Sequence, residues 1–484
     1  EHLGNTPLRP ETSILRDSET FPTRPRDFET PRPYNSRMKN LTIFHPFKVV
    51  SGVLLFFSLL TSILSAEVGR GVLALANEEG EVTVSWRLLA TDPTDVAFHV
   101  FRRDLYRGPK YECLTSEPVT ETTRFVDTSV VNGNSYRYRV HAVIDGREVP
   151  SIDSSYITST DWHRPYVSIA FKGEYEARSA AVADLDGDGV LDYVIKQPNF
   201  NTDPYHRKRY WKRSQAPYQL EAYSGATGKL LWRYDMGWAI ETGTWYAPYV
   251  AYDIDQDGFA EVYAKAGEGD PRAIDGRVLE GPEYLVKIDG RTGKVAAKRD
   301  WHPRQGWDSY NRSMRNMLTV AYLDGKQPSL IMQRGTYDLM KTSALDRSLN
   351  EIWTREAENP DSLPGPGTHG LITADVDNDG RDELVLGSTV LDDNGEVLWA
   401  TGLGHPDPCF VADIDPDNPG LEVFYGIEPR RPNMGVNLVS ASDGRILWAY
   451  DGATRHVHSK GMIGDIDPRH PGSESYAGDQ DGSQ

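Results

Sequence analysis

The chain has 484 residues, with 71 Asp+Glu against 52 Lys+Arg and a formal net charge of −19. That length allows roughly two to four domains. A content of 38% hydrophobic and 25% charged residues excludes global disorder. The acid excess excludes a general nucleic-acid binder, which needs a positive surface, but it leaves room for an anionic substrate held by cations. Cys113 and Cys409 are the two cysteines, too far apart in sequence to imply a disulfide framework. Gly 43, Pro 31 and Trp 11 favour turns and aromatic-rich strands over helices.

Residues 1–37 are rich in Pro, Arg, Thr and Glu and read as disordered. They are expected to lie upstream of the true start. Met38 is followed by Lys39 and Lys48, an apolar run from Val49 to Leu64, and Ser65-Ala66. A basic start, an apolar stretch and a small-residue end predict a signal peptide over 38–66 and a secreted protein, extracellular or periplasmic, with no integral span after its removal. Residues 67–160 alternate with period two, as in Val82-Thr-Val-Ser-Trp86, Phe98-His-Val-Phe-Arg102 and Tyr136-Arg-Tyr-Arg-Val140, with turn signals at Asp92-Pro93 and Asn132-Gly133. This pattern predicts a β-sandwich and resembles a fibronectin type III module.

Residues 161–484 repeat a unit. Each copy holds an acidic loop, an apolar strand, a Gly-containing turn and a strand that often carries Trp. The loops are Asp184-Leu-Asp186-Gly-Asp188-Gly189, Asp253-Ile-Asp255-Gln-Asp257-Gly258 and Asp375-Val-Asp377-Asn-Asp379-Gly380. Looser copies start at Asp413 and Asp465, and Tyr322-Leu-Asp324-Gly325 is a degenerate one. With helical patterning nearly absent, this period predicts a β-propeller, so the fold class is all-β.

The loops predict calcium sites. Acids stand at positions one, three and five, Gly at six, and a further acid at nine in the tight copies: Asp192, Glu261 and Glu383. Alternate acids on a curled loop turn their oxygens inward, Gly permits the curl, and calcium prefers several oxygen ligands. An EF-hand would carry its last acid at position twelve between helices, so these are not EF-hands. Asp and Gly are ordinary turn residues; three copies in phase with a repeat are what point to metal. The predicted ligands are Asp184, Asp186, Asp188, Asp192, Asp253, Asp255, Asp257, Glu261, Asp375, Asp377, Asp379, Glu383, Asp413, Asp415, Asp417, Glu422, Asp465, Asp467 and Glu474.

Runs such as Val84-Ser-Trp-Arg-Leu-Leu89, Trp307-Asp-Ser-Tyr310, Ala321-Tyr-Leu-Asp-Gly325, Thr401-Gly-Leu-Gly-His405 and Gly464-Asp-Ile-Asp-Pro468 resemble the family 11 polysaccharide lyases, the rhamnogalacturonan lyases, over about residues 68–484. The resemblance implies a fibronectin-like domain before an eight-bladed calcium-binding propeller, incomplete here because the chain stops soon after the fifth loop. It implies a secreted lyase, a monomer, that cleaves the rhamnose–galacturonate backbone of pectin by β-elimination. A base takes the proton on carbon 5 of galacturonate, and the oxygen on carbon 4 leaves. Such a site must neutralise the neighbouring carboxylate and supply a base of suitable pKa. The cations and imidazoles placed to do so are His369, Arg334, Lys196, Lys265 and Arg312, with Tyr337 and His405 against the sugar. The basic, aromatic 206–213 run suits sugar stacking. Three places depart from the family pattern: Arg178-Ser179, Gly243-Thr-Trp245-Tyr246 and Gly367-Thr-His369. They put Arg178 and Trp245 beside the expected cleft. Two other readings stay open: a non-catalytic calcium-dependent propeller for polysaccharide binding or adhesion, and a lyase for another uronate polymer.

Overall fold

A computed structural model describes residues 69–480, apart from 90, 152–153, 156, 161–167, 201–211, 242, 244–245, 308, 358–366 and 468. The expectations for residues 1–66, for Trp245 and for most of the 206–213 run fall outside these residues.

The first eight strands are β1 (Leu73–Ala76), β2 (Val82–Ser85), β3 (Ala97–Asp104), β4 (Glu112–Cys113), β5 (Arg124–Asp127), β6 (Ser135–Ile144), β7 (Arg147–Val149) and β8 (Thr158–Ser159). They make a three-stranded sheet, β1-β2-β5, and a five-stranded sheet, β4-β3-β6-β7 with β8 on β6. The two-residue period turns alternate side chains of both sheets into one core. Val82 and Val84 from one sheet meet Val100, Tyr136, Tyr138 and Val140 from the other. Trp86 packs edge-on against Phe98 at 5.3 Å between ring centroids.

Five four-stranded antiparallel sheets follow. The first holds β9 (Ser179–Ala183), β10 (Asp192–Gln197), β11 (Gln219–Tyr223) and β12 (Leu230–Asp235); the second holds β13 (Tyr249–Tyr252), β14 (Glu261–Gly267), β15 (Glu283–Ile288) and β16 (Val295–Asp300). After a short helix, α1 (Tyr310–Ser313), the third holds β17 (Asn316–Ala321), β18 (Ser329–Thr336), β19 (Leu339–Leu345) and β20 (Glu351–Ala357). The fourth holds β21 (Gly367–Ala374), β22 (Glu383–Gly387), β23 (Thr389–Leu391) and β24 (Val397–Ala400); the fifth holds β25 (Pro406–Ala412), β26 (Glu422–Ile427), β27 (Val436–Ser440) and β28 (Ile446–Ala449). A pair, β29 (Val457–Gly464) with β30 (Glu474–Asp479), closes the series. The first strands of successive sheets pack on one another, β9 on β13, β13 on β17, and so on to β29.

The recurrent Trp and Gly joins neighbouring sheets. Trp232 Nε1 donates to Gly290 O (2.5 Å), Trp353 Nε1 to Asp393 O (2.9 Å) and Trp399 Nε1 to Ala441 O (2.8 Å). Each acceptor lies in the turn between the third and fourth strands of the next sheet. Gly293, Gly395 and Gly444 in those turns have positive φ, and a Cβ there would meet the Trp ring at under 3.0 Å. The turn thus needs glycine both for its backbone angle and for the indole lying on it.

Antiparallel order sorts the connections into two ends. The turns between first and second strands, and between third and fourth, share one end of each sheet. The second-to-third turns and the links between sheets share the other.

Candidate functional site

The first end carries the acidic loops. In the first loop Asp184 accepts from the Gly187 and Gly189 amides (2.8 Å each), and Asp192 accepts from Leu185 N (2.9 Å) and Gly225 N (2.8 Å). The third repeats the pattern, with Asp375 accepting from Asp379 N and Gly380 N (3.1 Å each) and Glu383 accepting from Val376 N (2.7 Å). Asp184, Asp186 and Asp192 bring carboxylate oxygens within 4.8 Å of one another, as do Asp253, Asp255 and Glu261, and Asp375, Asp377 and Glu383. Asp188, Asp257 and Asp379 turn an oxygen back onto the amide two residues on. In the looser loops, Glu422 accepts from Ile414 N and Asp415 N, and Glu474 from Ile466 N and Asp467 N. Asp413, Asp415, Asp417, Asp465 and Asp467 join no three-carboxylate group among the described residues.

Burial, joined by the facing acids, pushes Asp192 up to about 6 and Glu383 up to about 8. Glu383 Oε1 is buried with no hydrogen-bond partner. A buried carboxylate oxygen facing other carboxylates suits a hard divalent cation. The second loop differs: Lys287 Nζ stands 2.8 Å from both Asp255 Oδ2 and Glu261 Oε1.

The opposite end carries cations. Lys196 on β10 is buried; its Nζ donates to Ala247 O (2.8 Å) and lies 4.9 and 5.4 Å from the ring centroids of Tyr218 and Tyr249. Burial, aided by the charge of Arg178, pushes it down to about 7. Arg178 donates its backbone N–H to Lys196 O (2.7 Å). Lys265 on β14 and Arg334 on β18 are fully buried around Glu283: Lys265 Nζ is 2.6 Å from Glu283 Oε1, Arg304 Nη2 is 2.8 Å from the same oxygen, and Arg334 binds Oε2 and the carbonyl of Ser313. Burial opposes charge on Glu283, but these three cations hold its carboxyl below the usual range. Burial pushes Lys265 down to about 8. A second carboxylate, Glu241, accepts from Tyr310 Oη (2.8 Å), and burial raises its pKa.

Beside this floor the third, fourth and fifth sheets and β29 bring together a cluster of imidazoles and acids. His369 Nε2 and His405 Nε2 lie 3.4 and 3.1 Å from Asp407 Oδ1. His405 Nδ1 meets Gly367 O at 2.5 Å, and Arg315 Nη1 lies 3.4 Å from His369 Nδ1. Tyr337, held at φ 59° in the β18–β19 turn, packs on both rings, 4.4 Å from His405 and 5.6 Å from His369 between centroids. Burial, with Arg315 and His405, pushes His369 down to about 3, so the ring is neutral. Asp407 is buried, but the hydrogen bond from His405 and the surrounding imidazoles hold it ionised, well below the usual carboxylate range. His369, His405 and Asp407 place donor atoms within 4.8 Å of one another, a set able to hold a divalent cation. Arg312, in α1, pairs with Asp338 at 2.7 Å near the same turn.

With this geometry in place, the comparisons decide the family. Residues 167–484 match the model for the C-terminal domain of rhamnogalacturonan lyase family 11, and residues 65–157 match the rhamnogalacturonan I lyase β-sheet domain. The chain belongs to the family 11 rhamnogalacturonan lyases. It is similar to the rhamnogalacturonan endolyase YesW of Bacillus subtilis (36% identity over 85% of this chain and 68% of that protein) and to the exolyase YesX of the same organism (35%, over 86% and 70%). Among solved structures, a Bacillus licheniformis family 11 rhamnogalacturonan lyase superposes with a TM-score of 0.74 at 33% identity, covering 86% of this chain and 74% of that one.

For this family 11 chain, the sequence-predicted His369, His405 and Tyr337 fall in one cluster. Lys196, Lys265 and Arg334 lie at the same end of their sheets as buried supports; Arg178 bonds through its backbone to Lys196, and Arg312 pairs with Asp338. Arg315, Asp407, Glu428, His456 and His458 were not predicted. The His-x-His spacing at 456 and 458 was the one local signal, because alternate residues of a strand share a face.

Proposed function

We propose that the chain is a rhamnogalacturonan lyase that cleaves the pectin backbone by β-elimination, and that its sheets are blades of a calcium-pinned propeller, eight-bladed in the whole family fold, behind a fibronectin type III-like sandwich. The observation that carries this reading is the joining of His369, Asp407, Tyr337 and Arg315 in one cluster at the cationic end of the sheets, in a member of this lyase family. The galacturonate carboxylate approaches Arg315 and Arg312, where it competes with Asp338 for Arg312 and with Asn311 and His369 for Arg315. Its neutralisation makes the carbon 5 proton more acidic. His369 is the less buried of the two imidazoles on Asp407 Oδ1, and we assign it as the proton acceptor at Nδ1, where the approaching carboxylate offsets the Arg315 charge that holds its pKa down and the Arg315 contact gives way to the substrate proton. Lys196, better tuned by pKa, already gives its ammonium to a backbone carbonyl under two tyrosines, and we assign it to the floor. Tyr337 offers a ring face for the sugar. Calcium in the acidic loops supplies structural cross-links, as their donor set suits.

The apolar run at 49–64 supports placing the enzyme outside the cytoplasm. We further propose a monomer acting on an acidic plant cell-wall polysaccharide.

The test incubates the full chain with rhamnogalacturonan and calcium, with ultraviolet absorbance of the unsaturated product as readout. Absorbance that grows with wild type and is lost in His369→Gln supports the assignment. Polymer binding without absorbance would replace it with the binding-protein reading, and absorbance only with other uronate polymers would change the substrate.

A further inference from the structure

We propose that Glu428, His456 and His458 form a metal site of their own, which takes an imidazole-preferring divalent ion of the zinc or cobalt class and not calcium. The local sequence builds it. Val457 is fully buried on one face of the chain entering β29, so His456 and His458 both turn to the other face. Their rings stack with centroids 4.9 Å apart and planes 18° from parallel. The backbone beneath them is tied down. Asp479 Oδ1 accepts from His456 N (2.8 Å), Gln480 N donates to His456 O (2.9 Å), and Gln480 Nε2 donates to His458 O (2.9 Å). Glu428 comes from the end of β26, where its own N–H donates to His405 O (2.8 Å).

The three donors converge. His458 Nδ1 is 3.3 Å and His456 Nε2 is 3.8 Å from Glu428 Oε1, and one donor atom from each residue lies within 4.8 Å of the others. Ligands about 2.1 Å from a zinc-sized ion stand about 3.4 Å apart at the tetrahedral angle, so the triad needs only a small contraction. His458 Nδ1 gives the second observation. It is buried, 2.6 Å from Asp407 Oδ2, yet it makes no hydrogen bond of acceptable alignment. This nitrogen lacks a well-directed partner in the metal-free protein, and it becomes a ligand atom once its proton is released on metal uptake. Two imidazoles and one carboxylate make the donor set of borderline-soft metals, and an open position remains for an outside ligand. Calcium takes oxygen donors and is the poorer match. This triad shares no residue with the His369–His405–Asp407 group but abuts it, with His458 Nδ1 2.6 Å from Asp407 Oδ2 and His405 Nε2 3.6 Å from Glu428 Oε2.

The experiment strips the full chain with a chelator, restores calcium, then titrates cobalt(II) while visible absorption and metal content are read. Wild type is expected to bind cobalt with a ligand-field band, and His456→Ala/His458→Ala to lose one equivalent per chain with calcium content and thermal midpoint unchanged. Glu428→Gln, which keeps the shape, should weaken that equivalent and shift its band. Equal cobalt uptake by wild type and the double variant would overturn the proposal, since an ordinary ion pair of Glu428 with histidine predicts that result. Loss of the equivalent on His369→Gln instead would assign the ion to the neighbouring group and overturn it too. No readout depends on lyase activity.

Discussion

Glu261 and Lys265 stand on one strand, β14, four residues apart, so about 13 Å separates them. Glu261 faces an acidic loop, and Lys265 faces the ion network beside the imidazole cluster. β10 repeats the arrangement with Asp192 and Lys196. In β22 and β26 the acid remains, as Glu383 and Glu422, but Gly387 and Gly426 stand where the lysines were. Outside the third sheet, where Ser329 takes the place of the acid, one end of the sheets is therefore repeated with little variation, while the other is built anew from sheet to sheet. Repetition is what a structural cross-link needs, and variation is what a site for one particular ligand needs. The chemistry agrees with the geometry: clustered carboxylates dominate the constant end, with Lys287 among those of the second loop, and nitrogen cations and imidazoles gather at the variable one.

The contrast is broken most severely at Glu283. This carboxylate is the hub of Lys265, Arg304 and Arg334, all within the buried floor. Glu283→Ala would leave three cations against Glu241 alone. Removing one partner of such a buried group costs about 3–5 kcal/mol, so thermal unfolding should show a fall of about 10 °C or more. A fall of a degree or two would mean that water already reaches the network.

Next comes the chemistry of the variable end. His369→Gln keeps the size of the side chain but removes its base. Turnover should fall about 100-fold or more, with a thermal midpoint close to wild type because the ring is partly exposed. A changed KM with unchanged turnover would make His369 a sugar contact instead of the proton acceptor.

The acidic loops were legible in the sequence because each is one contiguous stretch, with acids, glycine and closing acid within nine residues. The Trp–Gly recurrence was visible too, though not its cause, since the indole of one sheet meets the turn of the next some 40 to 60 residues away. Lys196 and Lys265 each stand four residues after the closing acid of a loop, a spacing the sequence displays. Their burial was not readable, because it comes from Tyr218, Tyr249 and Trp301, which lie 22 to 53 residues away in the chain. Asp407 sits in Pro406-Asp-Pro408, which reads as a turn, and gains meaning only when His369 and His458 arrive from two other strands to join it and its neighbour His405. Cross-sheet assembly leaves no spacing for a sequence to display.

A smaller effect separates calcium-bound from calcium-free protein. An ion held at about 100 times its dissociation constant adds about 2.7 kcal/mol, so chelation should lower the thermal midpoint by about 5–10 °C per strong loop. The pH dependence supplies the sign. Glu383 has its pKa raised to about 8 in the folded chain, from an ordinary 4.5. In chelator its contribution is fully present below about pH 4.5 and is lost as pH rises through about 8. The midpoint of chelated protein should therefore drop over that window, while saturating calcium should flatten the curve. Glu383→Gln should flatten the chelated curve as well.

The smallest effect is the most discriminating between the loops. Lys287 places an ammonium between Asp255 and Glu261, which no cation does for Glu383 among the described residues. Without metal, this lysine relieves the repulsion of the second loop; with metal, it competes for the same oxygens. Lys287→Met keeps the apolar stem and removes the charge. Loss of the partial relief should cost about 1 kcal/mol in chelator, because the pair is only partly shielded from water. In calcium the sign should reverse, and calorimetric titration should find the second loop tighter than in wild type. If the variant binds calcium more weakly, Lys287 orients the carboxylates for the ion instead of standing in for it.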